Sequence, residues 1–240
     1  MYPSLIFHSF NKNINSDEFY DVSITDYINL LDFLCKRIDS KKITLTFDDG
    51  FKSIIKAVEY ALEKDFQTII YIITDYVDKE GFLTRDDIKY LYKIGCIIGS
   101  HSKSHKNLTK IMYKDLDYEL KESKEYLENI IGVKVKHFSF PYGSHNKYLI
   151  SKVRKLYKFN AISRPNFFNE KNIVGRISIN SMNIKKHENI YKLLTNKIEI
   201  KYLLRLILSF ILKKIFPNKI YIFLKNIISK NKSKNIFFNK

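Results

Sequence analysis

The sequence predicts an α/β fold of parallel βαβ units, and three observations carry that expectation. Apolar runs of strand length alternate with longer stretches of helical periodicity from Ser4 to Ile179. About seven strand-length runs fall within roughly 180 residues, which suits a (β/α) barrel, complete or incomplete, or a doubly wound open sheet. Polar side chains able to do chemistry gather just after several of these runs, where parallel α/β folds carry their function.

The elements follow in order. Ser4–Phe7 reads as a strand ending at His8, and Thr25–Ile38 as a helix through Tyr27, Leu30, Leu31, Leu34 and Ile38. Ile43–Phe47 is a strand, and Phe51–Lys64 a helix with Ile54, Ile55, Val58 and Leu62 on one face. Thr68–Thr74 is rich in β-branched residues and reads as a strand. Thr84 caps a helix to Ile94, with Asp86 and Asp87 favourably placed in its first turn. Cys96–Gly99 is a short strand, and Lys110–Ile131 a long amphipathic helix stopped by Gly132. His137–Phe140 is a strand, Lys147–Leu156 a helix, and Phe159–Ser163 and Arg176–Ile179 the last strands. The stretch Asn183–Asn189, with His187, reads as an exposed loop. No internal repeat is visible.

A hydrophobic content of 45% supports a sizeable core and excludes global disorder. No run of about 18 uncharged apolar residues marks a membrane span. The start, Met1-Tyr-Pro-Ser-Leu-Ile-Phe-His8, lacks a secretory-signal pattern, so a cytoplasmic enzyme is expected. Two cysteines, Cys35 and Cys96, suit a reducing compartment better than a disulfide framework.

The segment Ile43-Thr-Leu-Thr-Phe-Asp-Asp-Gly50 runs an apolar strand into two adjacent carboxylates. Burying one carboxylate without a partner costs several kcal/mol, and two also repel. A bound metal, or a reaction needing one base and one ligand, resolves that conflict. His101 and His105 follow the strand Cys96–Gly99 at a spacing of four, which lets both converge on one centre. Two imidazoles and a carboxylate favour zinc, with cobalt or nickel as other candidates, and three protein ligands leave a position open for water. Each feature alone is more often a cap, a solvated helix face or a simple turn. Their joint placement after strands points to one shared site.

Three motifs, Thr46-Phe-Asp-Asp-Gly50, His101-Ser-Lys-Ser-His105 and Phe138-Ser-Phe-Pro-Tyr-Gly143, resemble those of the polysaccharide deacetylase family. These carbohydrate esterases include chitin, peptidoglycan and poly-N-acetylglucosamine deacetylases. The resemblance covers roughly residues 4–180. It implies a distorted or incomplete (β/α)7 barrel and one divalent metal ion. It also implies hydrolysis of an N-acetyl, less often O-acetyl, group on a sugar. Asp48 matches the general base. Asp49, His101 and His105 match the metal ligands. The backbone N–H of Tyr142 matches the oxyanion donor, and Phe140, Pro141 and Tyr142 are candidate substrate contacts.

The chain departs from the family pattern twice. Ser139 stands where many members carry an arginine that pairs with the base, so Arg164 or Arg176 is expected to supply the charge. The late histidine motif that usually provides the general acid is not recognisable. His8, at the end of the first strand, is the candidate acid, weighed evenly against a purely structural histidine. His145 reads as a rim residue, and His137 lies at the wrong end of its strand.

Ten basic residues and no acid lie between Lys201 and Lys240, so this stretch carries ten of the seventeen net positive charges. A barrel domain over 1–190 and a basic, apolar helical extension over 191–240 are expected, the extension being suited to an anionic membrane surface. No motif for nucleic acid accompanies the charge. The leading functional expectation is an N-deacetylase acting on an amino sugar of a surface polysaccharide or its lipid- or nucleotide-linked precursor. The alternatives are a deformylase-like C–N hydrolase on a lipid-carried amino sugar and a catalytically silent glycan- or membrane-binding relative.

Overall fold

The computed structural model describes residues 4–11, 17–163 and 173–195. The chain opens with β1 (Ser4–Phe7), then a small parallel pair, β2 (Ser9–Phe10) and β3 (Asp21–Val22), then α1 (Ile24–Cys35). From there strands and helices alternate: β4 (Thr44–Phe47), α2 (Ile55–Glu63), β5 (Gln67–Ile72), α3 (Arg85–Lys93), β6 (Ile97–Ser100) and α4 (Tyr113–Ile131). They continue with β7 (His137–Ser139), α5 (Lys147–Leu156), β8 (Phe159–Ile162), β9 (Ile173–Ser178) and α6 (His187–Leu194).

The large strands close into a barrel in the order β1-β4-β5-β6-β7-β8-β9, with β9 pairing back onto β1. Every pairing in it is parallel. A seven-stranded (β/α) barrel is thus the observed fold, and the open-sheet alternative is excluded. All strand C-termini lie at one end, so the residues after β1, β4, β6 and β7 are brought together although they are far apart in sequence.

Two cores hold the wall in place. Between barrel and α1, Phe7, Phe10, Tyr27 and Phe47 pack edge-on or stacked with ring centroids 5.0–6.4 Å apart, and the Tyr27 hydroxyl donates to the Ala57 carbonyl at 2.9 Å. Inside the barrel, Ile69, Tyr71 and Ala161 form an apolar cluster. Gly99 makes room for it: a Cβ there would lie 2.6 Å from the Tyr71 ring.

Several boundaries move from the sequence expectation for local reasons. The first helix starts at Ile24 because the Ser23 hydroxyl accepts from the Asp26 N–H, and it ends at Cys35 rather than Ile38. The expected helix from Phe51 opens with a 3-10 turn over Lys52–Ile54. The fifth strand stops at Ile72, since the Thr74 and Asp75 N–H groups donate to the Ser102 and Lys103 carbonyls of the neighbouring loop. The last strand begins at Ile173, three residues early.

The short β2–β3 pair was not expected. His187 is not in a loop: it opens α6, with its ring 5.3 Å from that of Phe33 on α1, and Ile190, Leu193 and Leu194 are buried beneath it. The polar run before this apolar stripe concealed the helix. The barrel lies in the compact unit Met1–Leu194; α6 runs past the expected boundary at 190, and the rest of the expected 191–240 extension, from 196 on, lies outside the described residues. Among the described residues, no helix is long and apolar enough to cross a membrane.

Candidate active site

The carboxylate doublet sits where β4 leaves the barrel. The Asp48 N–H donates to the Phe7 carbonyl at 3.0 Å, which continues the β1–β4 ladder by one residue. Asp49 (φ 71) and Gly50 (φ 81) then both take left-handed conformations. Such a conformation is uncommon for Asp and clusters at functional sites. The tight turn leaves Asp48 2% exposed and Asp49 partly open.

Asp48 is paired by Arg176 of β9, which is itself fully buried. The guanidinium donates to Oδ1 at 2.6 Å and to Oδ2 at 2.8 Å, a bidentate fork. Its remaining N–H groups reach the Thr46 hydroxyl (3.0 Å), the Ser139 hydroxyl (2.7 Å) and the Ile162 carbonyl (3.2 Å). All five donors of this arginine are therefore used. Ser139 accepts from Arg176 and donates to Asp48 Oδ2 at 3.2 Å. Of the two expected sources of the missing charge, Arg176 supplies it, and Arg164 lies outside the described residues. Burial alone would raise the Asp48 carboxyl, but the cationic guanidinium and the hydrogen bonds of the fork outweigh it and hold the group well below the usual carboxylate range.

The histidines come from the loop after β6. His101 is 3% exposed, and its Nδ1 lies 2.8 Å from the Ser139 carbonyl. A carbonyl only accepts, so Nδ1 carries the proton and Nε2 is left as a lone pair. That lone pair lies 3.5 Å from Asp49 Oδ1 and 3.6 Å from Asp48 Oδ2. His105 Nε2 is also 3.5 Å from Asp49 Oδ1. Burial lowers both imidazoles, His101 to about 3, and holds them neutral. Burial and the Asp48 charge together raise Asp49 to about 7.

One ligand atom each from Asp49, His101 and His105 lies within 4.8 Å of the others. The His101 lone pair faces the Asp49 carboxylate oxygen without a favourable partner in it, the His105 imidazole nitrogen lies beside both, and a cation between them would satisfy all three. The set therefore fits zinc or a similar ion, and the Ser139 carbonyl holds the His101 ring as an outer partner.

The Pro-Tyr-Gly turn flanks the histidines. Tyr142 has φ 59, is 65% exposed, and sets its ring, tilted by 43°, with the centroid 4.6 Å from that of His105. Its backbone N–H has no acceptor among the described residues. Phe140 and Pro141, the other candidate substrate contacts, are buried beneath the turn, Phe140 against Phe138 and His145.

His8 follows β1, with its ring 4.5 Å from Tyr20 and its Nδ1 buried without a hydrogen-bond partner. Burial lowers it to about 4, although the Asp48 charge acts the other way. His137 starts β7 and stacks on Phe159, at the end of the barrel remote from the doublet. Sequence reasoning missed the part played by Ser139, seeing there only the arginine it displaces. Its position two residues before Pro-Tyr was the available signal.

A family model for polysaccharide deacetylase matches residues 36–158. The bifunctional xylanase/deacetylase of Pseudobutyrivibrio xylanivorans is 31% identical over 109 residues, which is 45% of this chain and 18% of that protein. The chain spans less than half the length of the curated relatives it matches. Among solved structures, BC0361, a polysaccharide deacetylase from Bacillus cereus, superposes with a TM-score of 0.68 at 24% identity, covering 78% of this chain and 67% of that one. Streptococcus pyogenes deacetylase PplD, solved in complex with acetate, gives a TM-score of 0.68 at 18% identity over 80% of this chain and 97% of that one. The barrel and the order of its strand-end motifs agree with the family match, and the chain belongs to the polysaccharide deacetylase family.

Proposed function

We propose that this protein is a metal-dependent hydrolase that removes an acetyl group from an N-acetylated amino sugar of a surface polysaccharide or of its lipid- or nucleotide-linked precursor. The observation that carries the reading is the convergence of Asp49, His101 and His105 beside the Arg176-paired Asp48. The family assignment adds the substrate class.

In this reading Asp49 Oδ1 and the Nε2 atoms of His101 and His105 hold the ion. Once bound, it polarises the acetyl carbonyl and brings the pKa of water to about 7. Asp48 takes the proton released as water attacks the carbonyl carbon. A carboxylate so firmly paired is a weak base, so it needs water that is already acidified, and the two acids work as a set. Arg176 and Ser139 fix the direction of the accepting oxygen. The Tyr142 N–H donates to the oxyanion as the carbonyl bond opens, a contact worth about 10²–10³ in rate. The C–N bond then breaks, the amine takes up a proton, and acetate leaves.

His8 is assigned as the group that delivers that proton. It rests neutral, because burial lowers it, so the proton it delivers is the one that Asp48 takes from the attacking water, passed to His8 before the C–N bond breaks. Its partnerless Nδ1 supports this assignment. We extend the proposal to the basic stretch 201–240, whose charge suits an anionic membrane surface.

Acetate release tests the reading, measured on N-acetylated oligosaccharides and on lipid- and nucleotide-linked N-acetyl sugars, with and without a chelator. Activity that survives metal removal, or no release from any of these, overturns it. Removal of residues 201–240 should release the protein from anionic vesicles, and unchanged co-sedimentation would refute the membrane contact.

A further inference from the structure

Glu119 is a carboxylate on α4 that is 4% exposed, and no step above uses it. Its Oε2 accepts the backbone N–H groups of Lys103 at 3.0 Å and Ser104 at 2.9 Å. Its Oε1 accepts the Ser104 hydroxyl. Both residues lie between His101 and His105.

That short loop is bent in an uncommon way. Ser102 (φ 65) and His105 (φ 58) are both left-handed and neither is glycine. Such conformations persist only where the surroundings over-determine them. One side of the loop is pinned by the 3-10 turn Thr74–Tyr76 that follows β5, since the Thr74 N–H donates to the Ser102 carbonyl (3.3 Å) and the Asp75 N–H to the Lys103 carbonyl (2.9 Å). Within the loop, the Ser102 N–H donates to Ser100 Oγ and the His105 N–H to Ser102 Oγ, each at 3.1 Å. The loop's middle N–H groups have a charged acceptor only in Glu119. Hydrogen bonds to a charged acceptor are roughly twice as strong as neutral ones.

We propose that Glu119 is the positioning residue of the histidine loop: from outside the ligand shell it sets the spacing of His101 and His105 and hence the affinity of the centre. This rests on the reading of Asp49, His101 and His105 as a metal site. A carboxylate suits the task because it is acceptor-only and faces three donors. Glutamine keeps an oxygen for the two N–H groups, and the Ser104 hydroxyl can rotate to accept from the new amide.

The full chain carrying Glu119→Ala, Glu119→Asp or Glu119→Gln is titrated with zinc against a chromophoric chelator, and amide hydrogen exchange is followed at Lys103 and Ser104. Glu119→Ala should lose about 10–100-fold in zinc affinity, as outer partners of ligands commonly cost when removed. Exchange should quicken at Lys103 and Ser104 while the amides of α4 stay protected. Glu119→Gln should recover most of the affinity. Should Glu119→Ala fold poorly, Glu119→Asp keeps charge and helix but withdraws the oxygens, and should lie between Ala and wild type. Unchanged zinc affinity, or unchanged exchange at both amides, in a folded Ala or Asp variant overturns the proposal. A wild-type protein that binds no zinc would overturn the metal reading instead, and the exchange measurement would still decide the role of Glu119 in the loop.

Discussion

Arg176 and Asp48 form a bidentate ion pair across the barrel, 128 positions apart in sequence and both buried. The pair solves the problem that the doublet poses: one carboxylate is neutralised by an arginine, and the other is left for a cation. Removing the arginine should therefore expose that problem. Arg176→Met leaves a buried, unpaired carboxylate and should cost about 3–5 kcal/mol in urea unfolding. Asp48→Asn added to it should recover part of the loss. Arg176→Lys should also fall short, because one ammonium has three donors where the guanidinium uses five. Wild-type stability in Arg176→Met would show that the pair does not hold the barrel mouth together.

The two acids should separate by experiment. Asp48→Asn keeps all three ligand atoms, so zinc content should remain while turnover falls about 10²–10⁴-fold, the usual weight of a general base. Asp49→Ala or His105→Ala should lose zinc first, as read by the chelator titration, and activity with it. An Asp48→Asn enzyme with near wild-type kcat would remove Asp48 from the role of base.

The sequence made the doublet, the histidine pair and the Pro-Tyr-Gly turn legible because each follows a strand whose apolar run is easy to see. The same alternation left a barrel and an open doubly wound sheet both possible, and strand order came only with the closed barrel. Arg176 was harder: Arg164 competed for the role, and only barrel closure brings β9 beside β4 through β1. Phe140, Pro141 and Tyr142 read alike as one motif, whereas the structure exposes Tyr142 at a left-handed turn and buries the other two. Glu119 was hidden among the many charges of α4, since periodicity alone does not say which carboxylate faces inward. The two-residue strands β2 and β3 are too short to leave a pattern.

His137 gives the fold a pH dependence of definite sign. Burial, helped by the Lys136 charge, lowers its imidazole to about 4. The folded state thus keeps it neutral, while the unfolded chain takes up a proton below about 6.5. Between pH 6.5 and about 4 the unfolded state binds more protons, so stability is fully present above that window and is lost as pH falls through it. His137→Phe, which keeps a ring against Phe159, should lose less stability than wild type between pH 7 and 4.5. Urea midpoints measured with chelator present test this, and equal losses in the two proteins would contradict it.

Gly99 should be among the least tolerant positions in the barrel interior. A Cβ there would stand 2.6 Å and 2.8 Å from two Tyr71 ring carbons and 3.1 Å from the His137 Cβ. The ring cannot yield freely, because the Arg176 guanidinium carbon lies 5.1 Å from its centroid and is tied to Asp48. Gly99→Ala should therefore destabilise by about 1–3 kcal/mol through overpacking. It should also lower kcat by tilting the Arg176–Asp48 fork. Tyr71→Leu combined with Gly99→Ala should be less damaging than the two single effects added, since the clash is shared between them. Additive losses in the double variant would mean that the methyl is accommodated without moving Tyr71, and kcat would then be unaffected by Gly99→Ala.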